Sequence, residues 1–351
     1  MPAGTWLAIR AGGPSNGTER STPMTCYSFH ASHEQFSPAV LLELARQAEA
    51  AGFDGVFCSD HLQPWAPSQG HSGHAWVWLG AALQATQRLS FGTITVPGGW
   101  RYHPVVLAQS IATLCQMFPG RLPWIALGSG EAVNEQAMGH GWPSKAKRNA
   151  LLREGADLVR ALLSGERVSR RGHLAVDEAR LWEVPEQAPQ LFGAATSEAT
   201  AHWLGGWSDG LLTLGRDLPQ LERVIAAYRD GGGEGKPVHI KVDVSWAPDQ
   251  AEALHQAHAH WRFNCLGSEI NGNLAQPEQF EQASRFVRPE DMHEHVLIAS
   301  DPAAIIHHLE SCRALGVASI DVHQVGMHQQ PFIELCGRSV LPVLRARHGR
   351  E

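Results

Sequence analysis

Eight short apolar runs, each separated from the next by residues at helical spacing, constrain the fold of this chain more than any other feature. They fall at 26–31, 53–59, 89–96, 122–127, 190–194, 210–214, 239–246 and 319–324. Most have apolar residues at successive positions, the pattern of buried parallel strands. Between them, helical periodicity spans 38–51, 75–86, 104–118, 151–163, 199–204, 218–228, 249–262 and 302–315, and a closing helix spans 331–345. The first helix carries its own signals: Ser37 as N-cap, Pro38 at the first position, apolar Val40, Leu41, Leu44, Ala48 and Ala51, and a stop at Gly52. Eight strands alternating with helices predict an α/β chain folded as a (β/α)8 TIM barrel with insertions. A doubly wound sheet would want a glycine-rich turn after its first strand, and Ala31-Ser32-His33-Glu34 is not one.

The 351 residues then form one barrel domain over 24–351, with a hairpin excursion at 167–181 and an insertion near 264–291. Residues 1–23, rich in Gly, Ser, Thr and Pro, are expected to be a loose leader, and Met24 is a plausible alternative start. A hydrophobic content of 43% against 18% charged residues is the balance of a globular chain with a substantial core. The net charge of −7, with no basic run, argues against a nucleic-acid partner. No stretch approaches the ~20 apolar residues that span a bilayer, and 1–23 lacks the apolar middle of a secretory signal. Six cysteines without a CxxC pair suggest reduced thiols in a cytoplasmic protein.

A barrel gathers the carboxyl ends of its strands into one mouth. That would bring together Asp60 and His61, the 95–99 turn, the 128–131 turn, the 194–197 loop and His323. His61 is the best general base, since histidine alone has an unperturbed pKa near neutrality. Gly128-Ser129-Gly130 allows close backbone approach to a flat ligand, and Glu131 can hold or transfer a proton. Trp65, on the same loop as His61, can cover a ring. The bland alternatives are a satisfied core histidine, a capping acid and a buried tryptophan. His255, His258 and His260 invite a metal reading, but no carboxylate or cysteine completes a set. The glycine-rich segment 231–235 before Lys236-Pro237 has proline where a phosphate loop needs Ser or Thr, so it reads as a helix-to-strand loop.

Three segments resemble a known family: Ser59-Asp60-His61-Leu62-Gln63-Pro64-Trp65, Gly128-Ser129-Gly130-Glu131-Ala132-Val133-Asn134-Glu135 and Arg101-Tyr102-His103-Pro104. They look like the luciferase-like monooxygenase superfamily, in the branch of the F420-dependent glucose-6-phosphate dehydrogenases. The stretches 29–36 and 73–83 look more like a subgroup of that branch that uses ordinary flavin. The resemblance implies a barrel, usually dimeric, with FMN or alternatively the deazaflavin coenzyme F420 in its mouth. It implies that His61 takes a hydroxyl proton during hydride transfer, that Trp65 stabilises the transition state and that Glu131 serves the ring's proton. Asp60 and Asn134 match cofactor contacts. Ile94 and Thr95 match a strand end that often carries a non-prolyl cis peptide under the ring. Ala194, Ala195, Thr196 and Ser197 match the loop that receives the cofactor phosphate.

Where that branch grips a sugar phosphate with two lysines and an arginine, the corresponding residues here are Arg216, Gln282 and His295. Only one is a permanent cation, and a phosphate dianion needs charge-assisted partners. The expectation is therefore a flavin- or deazaflavin-dependent oxidoreductase acting on a small alcohol or carbonyl substrate other than glucose 6-phosphate. The alternatives are an FMNH2-dependent monooxygenase served by a flavin reductase and a non-catalytic flavin-binding protein.

Overall fold

The computed structural model describes residues 25–97, 101–139 and 141–348. The leader expected at 1–23, and residues 98 and 99 of the turn expected in the mouth, lie outside them. Eight parallel staves form the barrel: β1 (Cys26–Ala31), β2 (Gly55–Ser59), β3 (Ser90–Ile94), β4 (Trp124–Gly128), β5 (Gln190–Ala194), β6 (Gly210–Leu214), β7 (Val238–Trp246) and β8 (Ser319–Gln324). After Thr95, β3 continues as Val96–Pro97, and this is where the circle closes. Ser59 of β2 registers with Ile94, whereas Val96 registers with Leu127 and Pro97 with Gly128 of β4. The strand changes partner at the Ile94–Thr95 peptide, which is cis. On the other side, β8 lies between β1 and β7.

The staves are less uniformly apolar than the sequence reading expects. Side chains alternate across a stave, one set facing the surrounding helices and the other the barrel interior. On β7, Ile240, Val242 and Val244 join the large core beneath the helices, while His239, Lys241 and Asp243 occupy the alternate positions. In β1 and β8 the helix side holds Tyr27, Phe29, Ala31, Ile320 and Val322, and His30, Asp321 and His323 alternate with them. The lower interior is plugged by Phe57, Trp124, Ala126, Phe192 and Leu212, with Trp124 and Phe192 stacked at 5.3 Å. The interior polar groups are tolerated because they pair with one another: His30 Nδ1 lies 2.7 Å from Asp321 Oδ2 and His323 Nδ1 2.9 Å from Asp243 Oδ1.

The helices begin and end as their local chemistry requires. Pro38–Ala51 starts where Ser37 Oγ accepts the Val40 N–H, and stops at Gly52, whose φ of 91° only glycine adopts readily. Val40, expected in its buried stripe, is 45% exposed, because that stripe runs through Leu41, Leu44, Ala45 and Ala48. The hairpin pairs Val168–Arg171 with Ala175–Ala179. Short helices fill 262–295 before Leu297–Ala299 adds to the end of β7. This segment roofs the mouth. Gly272 O accepts the Ala132 N–H (3.2 Å), Trp142 Nε1 donates to Asn273 Oδ1 (2.9 Å), and Phe280 packs edge-on against Trp65 (5.4 Å). Among the described residues no helix is long and apolar enough to cross a membrane.

Candidate active site

His61 leaves the end of β2 and is clasped from two sides. Its Nε2 lies 3.3 Å from Glu34 Oε1 and 3.4 Å from Glu131 Oε2. Its Nδ1 faces a donor, Asn134 Nδ2 (3.2 Å), and an acceptor, the Gln63 carbonyl (3.2 Å). The ring thus finds partners whichever nitrogen carries the proton. The Trp65 ring packs 4.7 Å from it, centroid to centroid.

Glu34, just beyond β1, was not singled out from the sequence. It is buried, and its Oε2 accepts from Ser59 and Ser32 hydroxyls. Burial alone would raise its pKa, but the His61 ring and the Ser59 hydrogen bond overcome that and hold it at about 2, so it stays ionised. Glu131 is only partly exposed, and burial pushes its carboxyl up from the usual range, with His61 pulling the other way and Glu34 adding to the rise. Two carboxylates on one imidazole are therefore driven apart in acidity, one a fixed anion and the other able to exchange a proton. The signal for Glu34 was its place at the carboxyl end of a stave, shared by too many residues to single it out.

Asp60 is held differently. Its Oδ1 accepts from Arg101 Nη1 (3.0 Å) and the Tyr102 hydroxyl (2.9 Å), while Arg101 Nη2 donates to the Asp60 carbonyl (2.7 Å). Arg101 also reaches Glu135, whose buried carboxyl accepts the Arg101 backbone N–H (3.0 Å). Among the described residues Asp60 Oδ2 is buried with no hydrogen-bond partner. An orphaned carboxylate oxygen beside the mouth suits the N–H of a flat heterocycle.

The other expected cofactor contacts fall around the same wall. Gly128 abuts Thr95, whose Oγ1 would sit 2.8 Å from any Cβ added there, and the β4–β5 register pairs Leu127 with Gly193, the residues just before Gly128 and Ala194. Gly130 has a φ of 80°, and Ser129 Oγ accepts from Lys145 Nζ (2.8 Å). Ala195 is buried, the Thr196 carbonyl accepts from Gln220, and Ser197 caps the helix Glu198–Gly205. Asn134 is spent on the His61 loop: its Oδ1 accepts the Leu62 (2.9 Å) and Gln63 (3.3 Å) N–H groups.

The three residues expected to meet substrate are not joined to His61 by any contact among the described residues. Arg216 donates to the His293 carbonyl (2.5 Å) and lines a separate cavity of about 450 Å³ with Asp217, Glu294 and His308. Gln282 and His295 are exposed on the roof segment. Of the histidines considered for metal, His258 contacts the Val287 carbonyl through Nε2 (2.8 Å).

A parallel barrel whose mouth sets a histidine between two glutamates, beside an aspartate with one oxygen unpartnered among the described residues and a glycine-lined strand end, brings together groups suited to acid–base chemistry. The model of the luciferase-like monooxygenase family matches residues 1–319, and the chain belongs to that family of oxidoreductases. It is 33% identical over 337 residues to an F420-dependent glucose-6-phosphate dehydrogenase from Nakamurella multipartita, covering 93% of this chain and 99% of that one. A protein of the same description from Beutenbergia cavernae is 34% identical over 329 residues, 91% of this chain and 97% of its own. Among solved structures, an F420-dependent secondary alcohol dehydrogenase in complex with an F420-acetone adduct superposes with a TM-score of 0.86 at 28% identity, covering 92% of this chain and 99% of that one. The oxygenating constituent of 3,6-diketocamphane monooxygenase from Pseudomonas putida, in complex with FMN, shares the fold at a TM-score of 0.67 and 16% identity, covering 92% of this chain and 98% of that one. This chain is accordingly a flavin- or F420-type oxidoreductase, and the non-catalytic alternative is set aside.

Proposed function

We propose that this chain transfers a hydride between a flavin-type ring and the carbon of a small alcohol or carbonyl compound. The observation that carries the reading is the His61 ring clasped between the buried carboxylate of Glu34 and the partly exposed carboxyl of Glu131. The bound ring supplies the hydride acceptor or donor. The chain's own residues handle the proton. When Nδ1–H points to the Gln63 carbonyl, Nε2 is a base for the substrate hydroxyl; the imidazolium that results rests against Glu34. A substrate hydroxyl enters by displacing Glu131, the exposed partner, while Glu34 stays in place. Glu131 is left facing the ring with a proton to give or take. Trp65 walls the substrate side, and Asn134 holds the His61 loop by accepting the Leu62 and Gln63 N–H groups.

Asp60 Oδ2 would meet the ring's polar edge, Ile94 and Thr95 its face, and Gly128, Ser129 and Gly130 its flank, with 194–197 at the phosphate. Both FMN and F420 fit these contacts. The F420 dependence stated for the relatives makes F420 the first to test, although the sequence alone puts FMN ahead. Arg216, Gln282 and His295 offer no cluster of cations, which supports a substrate other than glucose 6-phosphate.

His61→Ala and Glu131→Gln are each expected to lower kcat by roughly 10²–10⁴, while the dissociation constant of the cofactor, read by fluorescence, changes little. Turnover that survives both substitutions would sink this mechanism. Oxygen uptake coupled to substrate with chemically reduced FMN would point instead to monooxygenation.

A further inference from the structure

The interior of β7 carries a charge arrangement that the proton chemistry does not use. Lys241 and Asp243 alternate on its inner face, two residues apart, and their side chains form an ion pair. Asp243 also accepts from His323 Nδ1 (2.9 Å) and from Trp261 Nε1 (3.2 Å). Burial would raise its carboxyl, but Lys241 and His323 hold it well below the usual range, so it is a fixed anion. The Lys241 ammonium lies 5.0 Å from the Trp261 ring centroid. This group borders the reacting centre: His323 Nε2 is 2.9 Å from Gln35 Oε1, and Gln35 follows Glu34, the carboxylate against His61. Neither charge is sealed off, with 11% of the Lys241 side chain and 14% of the Asp243 side chain exposed. Arg101 is committed to Asp60 and Glu135, and Arg262 to Glu281, while Lys145 donates to the Ser129 hydroxyl.

We propose that Asp243 is a specificity-determining residue: by pairing with Lys241 it closes the inner wall of the mouth to anionic substrates and reserves it for uncharged ones. An ammonium already matched by a carboxylate gains little from an incoming phosphate or carboxylate, and that anion must also approach the charge of Asp243. An uncharged alcohol or ketone escapes this repulsion and meets the edges of Trp65 and Trp261, which Phe280 backs within one apolar cluster under the roof. The inference rests on the reading of the mouth as the substrate cavity and names the class of substrate it accepts.

Its test is a binding measurement, which stands apart from turnover. Inorganic phosphate is titrated calorimetrically into the purified full-length chain at low ionic strength, where charge effects are least screened. Asp243→Asn is expected to bind phosphate at least about tenfold more tightly than the unaltered chain, and Lys241→Met combined with Asp243→Asn to lose that gain. Phosphate binding elsewhere, at Arg216 or Lys145, is common to all three proteins and cancels in the comparison. If the unaltered chain and Asp243→Asn agree within about twofold, or if the double variant keeps the gain, the proposal is overturned. Should Asp243→Asn not fold, the exchanged pair Lys241→Asp with Asp243→Lys preserves the ion pair. It is expected to bind phosphate no better than the unaltered chain, and a tenfold gain there would equally overturn the idea. Loss of turnover in His61→Ala bears on the proton chemistry alone and leaves this comparison untouched.

Discussion

At the scale of single residues, the site is a set of carboxyl groups whose acidities are separated by their surroundings. Glu34 is held at about 2 by His61 and Ser59, against the pull of burial, whereas Glu135 is pushed up to about 7 by burial, with Arg101 only partly offsetting it. These two act on stability in opposite directions. The folded chain keeps the Glu135 proton up to about 7, while an unfolded chain releases it near 4.5. Between those values the folded state binds more protons, so stability falls as pH rises through the window. Glu135→Gln keeps an acceptor near Arg101 and removes the ionisation. The melting temperature of the unaltered chain should therefore decline relative to that of Glu135→Gln as pH is raised from 4.5 to 7. Parallel pH profiles for the two proteins would show that Glu135 does not titrate in that range. Glu34 contributes in the opposite sense: its stabilisation is present above 4.5 and is lost as pH falls toward 2.

At the scale of elements, the glycine-rich segment before β7 has a mechanical explanation. Gly231 lies in the wide turn Arg229–Gly233, and a Cβ added to it would sit 1.9 Å from the His202 carbonyl of the helix Glu198–Gly205. A Cβ added to Gly205, from the other side, would sit 2.4 Å from the Tyr228 carbonyl. Two backbones meet here with no room for side chains. Gly231→Ala should cost at least about 2 kcal/mol, in the upper part of the range for overpacked sites, seen as a lower midpoint in urea denaturation. An unchanged midpoint would mean that the contact yields without strain. The elements of the site were legible by a different route. β2 and β4 end in motifs dense enough to mark their own chemistry, while β1, β7 and β8 hide theirs in an alternation that first looks like an ordinary strand.

At the scale of the whole molecule, one ring of hydrogen bonds sets the distances. β3 pairs with β2 through Ile94 and its continuation pairs with β4 through Val96, so the wall bearing Asp60 and the wall bearing Gly128 are joined by the same strand. The roof over 262–295 ties the loops of β2 and β4 together through Phe280, Gly272 and Asn273. A ligand that fits between these walls stabilises the entire ring. At about 100 times its dissociation constant, the true cofactor should add about 2.7 kcal/mol to folding stability. Thermal shifts with F420 and with FMN compare the two directly: F420 is expected to raise the melting temperature more. A larger shift with FMN would reverse that assignment.

The order of strands and helices, the caps of the first helix and the motifs around His61 and Glu131 were determined by the sequence, because periodicity and turn chemistry are local properties of the chain. The sequence reading placed Asp60, His61 and Glu131 at strand ends and gathered them in one mouth. Glu34 was beyond its reach, since a glutamate becomes a partner of His61 only when β1 and β2 lie side by side. The cancellation of Lys241 by Asp243 was likewise decided by the closed barrel, which turns alternate residues of β7 inward and makes two nearby letters a single neutral pair. Strand pairing, which the chain's local pattern does not specify, brings Glu34 within reach of His61, and the acidity of each depends on such neighbours.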